Sequence, residues 1–143
     1  MGWDFPFEAD DPAAKPTLEV FRRHHIHPQL WVMQSLKPPQ GEGLPKTEEE
    51  WTTLWKSLSP TAQKQLEASL QRRDLTQSPE EQVRRVRKEA ERIYALVKLA
   101  APYGSTVELY NHDGWYGMVE NEVAIIARLK ELGVGEVGVV YKF

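Results

Sequence analysis

Between Thr106 and Tyr141 the hydrophobic period of the chain changes twice. Thr106 to Asn111, TVELYN, alternates apolar and polar residues, the period of a half-buried strand. Val123, Ile126, Leu129 and Leu132 then recur at helical spacing, and Gly133 follows as a stop signal. From Val137 to Tyr141 the strand pattern returns. A helix between two neighbouring strands is too long for a hairpin, so the strands must run parallel, with a right-handed crossover. This βαβ unit puts the chain in the α/β class, where ligands collect beyond the carboxyl ends of the strands.

The remaining sequence adds strands sparingly. Trp3 to Phe5 is a short strand candidate, and Asp10-Asp11-Pro12 opens a helical stretch whose regular part begins near Pro16. Leu18, Val20 and Phe21 supply its apolar stripe. Ile26 to Gln34, with HPQLWVMQ, predicts a buried strand, and Lys37 to Gly43 a loop. Helix signals then take over. Thr47 and Glu50 have capping-box spacing ahead of Trp51, Leu54, Trp55 and Leu58. Ser59-Pro60 restarts a helix carrying Leu66 and Leu70. Ser78-Pro79-Glu80-Glu81 opens a long one, with Val83, Val86, Ala90, Ile93, Leu96, Val97 and Ala100 as its buried face and Gly104 as terminator. No strand is predicted from Leu36 to Gly104, although a regular α/β unit takes roughly 30 residues. About four parallel strands result, half of an eight-stranded barrel.

Bulk properties narrow the partners. The 143 residues suit a single domain, 1–143, in which 42–77 forms a helical segment of different character. A net charge of -3 argues against a general nucleic-acid binder. No apolar run approaches the roughly 18 residues of a membrane span. Without cysteine there is neither disulfide nor thiolate site. The opening MGWDFP lacks the basic start and apolar core of a secretory signal, so a soluble, cytoplasmic protein is the default expectation. Both ends are abrupt, as in a piece cut from a longer fold. His24, His25 and His27 fit an exposed helix end better than a metal site. Arg84, Arg85, Arg87, Lys88 and Arg92 interleave with Glu80, Glu81, Glu89 and Glu91 as on a solvated helix face.

ELYNHDGWYGM, Glu108 to Met118, gathers polar groups at a strand end. Alternation sends Val107 and Leu109 to one face and Glu108, Tyr110 and His112 to the other; on the last strand Gly138, Val140 and Lys142 oppose Val137, Val139 and Tyr141. A cleft holding Glu108, Tyr110, His112 and Lys142 would hydrogen-bond a polyol, with Trp115 as a flat apolar wall. Two plainer readings stand beside it. Asn-His-Asp-Gly is ordinary turn chemistry, and Glu108 with Lys142 makes a cross-strand ion pair.

The segment Ala90 to Phe143, above all TVELYNHDGWYGMVENEVAIIARLKELGVGEVGVVYKF, resembles the sugar phosphate isomerase/epimerase family of xylose isomerase-like TIM barrels. GWDFPF looks like an earlier strand of the same family, whereas Gly41 to Gln77 shows no likeness. The resemblance implies a partial TIM barrel and a site for a sugar or sugar phosphate made of Glu108, Tyr110, Asn111, His112, Trp115 and Lys142. Members commonly hold a divalent metal through carboxylates and a histidine. Tyr110 stands where the family has a glutamate ligand, and Lys142 where it has an aspartate. No metal ligand and no cofactor are therefore assigned, and no catalytic residue. The expectation is an isomerase-like protein that binds a sugar or polyol; the alternative is a non-enzymatic scaffold. Either way, open strand edges predict a homo-oligomer.

Overall fold

The computed structural model describes residues 2–33, 45–74, 78–111 and 114–141. The chain divides into two compact units, one formed by Met1–Gln34 with Gln77–Phe143 and the other by Ser35–Thr76. The expected helical segment, 42–77, falls almost wholly in the second.

The larger unit holds β1 (Gly2–Asp4), α1 (Ala14–Arg23), β2 (Gln29–Val32), α4 (Pro79–Ala100), β3 (Thr106–Tyr110), α5 (Val119–Glu131) and β4 (Gly138–Val140). The smaller unit supplies α2 (Glu48–Ser57) and α3 (Pro60–Asp74). The four strands form one sheet in sequence order, β1-β2-β3-β4, and every pairing is parallel. The fold is thus α/β, as the βαβ pattern predicts. Leu30 and Val32 of β2 and Val107 and Leu109 of β3 are buried, and join one apolar cluster with Leu18 of α1, Ile93 and Leu96 of α4, and Ile125 and Leu129 of α5. β2 and β3 each contribute every second residue, because successive side chains point to opposite faces.

The helices begin and end for local reasons. Ser78 caps α4 by accepting the Glu81 N–H at 3.1 Å, and Pro79 suits the first turn, where an N–H would have no partner. After Ala100 the chain tightens into a single 3₁₀ turn, Ala101–Tyr103, and Gly104 closes it at φ 68°, a left-handed conformation that favours glycine.

Two residues of the expected apolar stripes are exposed instead, Val20 at 54% and Val83 at 58%, and Val123 of the α5 repeat is 57% exposed. Val20 lies two residues, about 200° of helix, from the buried Leu18, so both cannot face the sheet. On α5 the inward stripe is Asn121, Glu122, Ile125 and Leu129. It is rotated from the purely apolar stripe because two polar residues are drawn inside. Val83 faces a groove of about 440 Å³ whose other wall includes Ala124 and Ala127; alanine side chains are too short to close it.

In the smaller unit the capping box forms. Glu50 N donates to Thr47 Oγ1 at 3.2 Å, and Thr47 N donates to Glu50 Oε2 at 3.3 Å. Gln63 Nε2 donates to the Trp55 carbonyl at 2.9 Å, tying α3 to the last turn of α2. Trp51, Leu54, Trp55 and Leu58 are half-buried. The predicted loop Lys37–Gly43 and the side chain of Leu70 lie outside the described residues. Among the described residues no strand occurs between Val32 and Thr106, as the run of helix signals predicts.

Leu109, with no exposed surface, should cost about 2–5 kcal/mol when truncated to alanine. Val123→Ala, on the exposed side of α5, should stay within about 0.5 kcal/mol of the parent. Urea unfolding monitored by circular dichroism measures both.

Candidate functional site

The sheet has a second face, set by register. Asp4, Trp31, Glu108 and Gly138 are neighbours in one row across the four strands. Gly2, Gln29 and Thr106 form the row before it, and Tyr110 pairs with Val140 in the row after. Paired residues of adjacent strands share a face. This face therefore carries the groups that the buried face does not: two aromatic rings, an amide and two carboxylates.

Large and small side chains alternate on it. The Trp31 indole lies over Gly2, where a Cβ would come within 2.1 Å of the ring. Its Nε1 donates to Gln29 Oε1 at 2.9 Å. Tyr110 leans towards the same indole, with centroids 5.5 Å apart and planes inclined at 47°. Glu108 reaches over the edge strand, where its Oε2 accepts the Gly138 N–H at 2.7 Å. A Cβ on residue 138 would sit 2.5 Å from that oxygen, so glycine makes room for the carboxylate.

The predicted site residues separate. Glu108 and Tyr110 share the open face, both half-buried. Asn111 secures the turn: its N–H donates to the Val140 carbonyl at 3.1 Å, and its Nδ2 donates to the Gly117 carbonyl at 3.0 Å. That is the turn chemistry weighed above. His112 and Lys142 lie outside the described residues, and with them the suggested Glu108–Lys142 ion pair. Trp115 requires a correction, because it does not wall a cleft. It is 1% exposed, and its Nε1 donates to Gln82 Oε1 at 2.7 Å. The Arg85 guanidinium covers its ring, 4.4 Å from the centroid. An indole placed just after a strand end packs inward against α4 because α4 offers both an acceptor and a cation there.

Gln82 also donates to Asn121 Oδ1 at 2.6 Å, and Asn121 Nδ2 donates to the Trp115 carbonyl at 2.6 Å. These three residues close a ring that joins the start of α4, the β3–α5 turn and the start of α5. Next to Trp115, the Tyr116 hydroxyl donates to the Val32 carbonyl at 3.0 Å. Arg92 donates to the following carbonyl, Met33, at 2.8 Å, and pairs with Glu89 at 2.8 Å and Glu8 at 3.4 Å. The end of β2 thus has its carbonyls satisfied by side chains of α4 and the turn. Glu122 is the exception. It is fully buried, and neither carboxyl oxygen has a hydrogen-bond partner among the described residues. Burial pushes its carboxyl up to about 7.

Trp31 and Gln29 belong to the open face, and sequence reasoning missed them. The signal was present, since Gln29 and Trp31 alternate with the buried Leu30 and Val32. A run so rich in apolar residues reads simply as a buried strand, which hides the alternation. No family model matches the chain, and no curated protein or solved structure is significantly similar to it.

The divalent metal that the family resemblance implies does not fit these residues. Tyr110, which the resemblance sets in a ligand position, presents a phenol packed against Trp31 rather than a carboxylate. Glu108 spends one oxygen on the Gly138 backbone. Lys142, which the resemblance sets in the other ligand position, is a cation by sequence, and a metal ion repels it.

Two stability tests follow from this packing. Gly138→Ala should destabilise by about 1–3 kcal/mol, because it drives the Glu108 carboxylate off its donor; the loss should shrink in a Glu108→Ala background, as a thermal-unfolding double-mutant cycle would show. The second concerns Glu122, whose carboxyl rises from 4.5 to about 7 on folding. The native state then binds a proton that the unfolded chain releases, so stability falls as pH rises from 4.5 towards 7. Glu122→Gln, which keeps a polar group there but removes the cost of ionising it, should raise stability at about pH 8 by up to roughly 3 kcal/mol, at about 1.4 kcal/mol per unit of pKa, and change little below pH 4.5. Chemical denaturation across that range measures the difference.

Proposed function

We propose that this chain binds a sugar or another polyol on the open face of its sheet, and that it does so without the metal-dependent isomerase chemistry of the family it resembles. The observation that carries the reading is the pairing of Trp31 with Tyr110 beside Glu108 on one half-buried face. Aromatic rings offer flat apolar surface to the C–H face of a sugar ring. A carboxylate and an amide accept and donate to its hydroxyls, the mix of apolar wall and a few polar groups that small-molecule sites use. Glu108 is held in place through one oxygen, so its carboxylate is oriented before a ligand arrives. Tyr110, the last residue of β3, brings the face to the carboxyl end of that strand, where parallel α/β sheets take ligands.

The substitutions at Tyr110 and Lys142 support the absence of metal chemistry. A proton shuttle on a hydroxy-carbonyl substrate needs an electrophile to stabilise the developing charge. A phenol and an ammonium do not assemble the carboxylate cage for one. The scaffold alternative has its own support in the sheet's two outer edges, β1 and β4.

A panel of pentoses, hexoses, polyols and their phosphates, screened by thermal shift, tests the reading. At least one compound should raise the melting temperature in a concentration-dependent way, as linkage requires. Trp31→Ala should abolish that rise while keeping most of the parent's stability. If no compound shifts the parent chain, binding is rejected and the scaffold reading takes its place. Calorimetric titration with Mn²⁺ and Zn²⁺ should give no stoichiometric heat; micromolar binding of either ion would overturn the metal-free reading.

A further inference from the structure

We infer that two copies of this chain join edge to edge, β4 of each against β1 of the other, and so close eight parallel strands into one barrel. The inference is independent of any ligand and rests on strand order, direction and the chemistry of the two edges.

The four strands run in sequence order and in one direction. Each therefore adds to the same side of the one before it. Among the described residues the first and last strands have a neighbour on one side only. Their outer edges are complementary, because a parallel strand laid beside β4 continues the same progression, and β1 is such a strand. A twofold axis along the strand direction makes the contact twice, β4 to β1 in both senses, and leaves no edge unpaired. Closure of this kind removes the hazard that open edges pose, and it is the simplest closed symmetry. Eight strands give an interior that side chains fill or that holds one small ligand, so closure places the proposed polyol face inside the barrel rather than removing it.

The backbone groups that would do this can be named. In a parallel ladder alternate residues turn their N–H and C=O to opposite sides. Phe5 N donates to the Trp31 carbonyl, so the backbone groups of Phe5 and Trp3 face β2, and those of Gly2 and Asp4 face outward. Asn111 N donates to the Val140 carbonyl, so Val140 and Gly138 face β3, and Val139 faces outward. The outward stretches are short, as edge strands commonly are. The smaller unit is no substitute for a second sheet, since its described residues form only helices, and a helix cannot continue a strand ladder.

The face that would become the interior suits closure. Trp31 fills the space over Gly2, and Glu108 the space next to Gly138. Each edge strand thus carries a glycine beneath a large side chain from its neighbour. Such large-and-small complementarity is how side chains fill the inside of a small barrel.

The test combines mass with cross-linking on the intact chain. Analytical ultracentrifugation should find a species of about twice the 16.5 kDa chain mass. The chain has no cysteine, so cysteines can be placed cleanly at Asp4 and, in turn, at Val139, Val140 or Tyr141. Within one copy β1 and β4 are three strand spacings apart, roughly 14 Å at about 4.8 Å each, beyond the reach of a disulfide. Across the inferred contact they are adjacent, so oxidation should yield a covalent dimer in at least one pair. Val139→Pro, which removes an outward N–H and leaves the β3–β4 bonds intact, should give a monomer with unchanged circular dichroism. A monomer at all concentrations overturns the inference. So does a dimer that no β1–β4 cysteine pair cross-links. If Val139→Pro fails to fold, the cysteine pairs still decide.

Discussion

A parallel strand cannot turn straight back beside its neighbour; the chain must first cross to the other end of the sheet. That requirement shapes the larger unit. Each return carries a connection across the sheet, and the helices α1, α4 and α5 bury the same strand face that holds Leu30, Val32, Val107 and Leu109. The hydrophobic effect is thereby used on one side only. The opposite face keeps Asp4, Gln29, Trp31, Glu108 and Tyr110. The proposed ligand face and the proposed contact between copies both arise from this asymmetry.

The ends of the strands are held by a different kind of interaction. Parallel strands finish with carbonyl groups that no further ladder can satisfy, and buried polar groups without partners destabilise. Tyr116 and Arg92 take the carbonyls of Val32 and Met33. Gln82, Trp115 and Asn121 close a hydrogen-bonded ring that fixes the turn after β3 to both adjacent helices. Trp115 is better understood as the keystone of that turn than as a wall for a ligand. Its indole contributes large apolar burial, while its N–H finds a partner in the interior, as a buried tryptophan requires. Glu122, buried beside this ring without a partner among the described residues, sets native stability against rising pH.

How far the sequence carries can be seen from single residues. The alternation in TVELYN and the helical spacing after it specify β3 and its crossover, because strand and helix periods differ too much to be confused. Ser78-Pro79 and Thr47 with Glu50 mark helix starts that the structure contains, since a capping side chain acts on N–H groups only three residues away. Val20, Val83 and Val123 are exposed although their spacing is helical, because helical phase depends on what lies opposite. Nothing in the local sequence reveals that α5 turns Asn121 and Glu122 inward, or that Ala124 and Ala127 leave a groove beside Val83.

The sequence by itself determined the class of fold, the parallel sense of the strands and the sides to which Glu108 and Tyr110 point. All three follow from periodicity and chain reach, which are local properties. Only the tertiary structure decided which residues share the open face. Trp31 and Tyr110 are 79 positions apart, and they meet because register sets β2 against β3. Gly138 lies 30 residues from Glu108, and its missing side chain matters only once the two strands are paired. Trp115 changed from candidate ligand wall to core residue for the same reason: the groups that bury it, Gln82 and Arg85, come from a helix that begins almost 40 residues earlier, and the sequence around the tryptophan carries no trace of them.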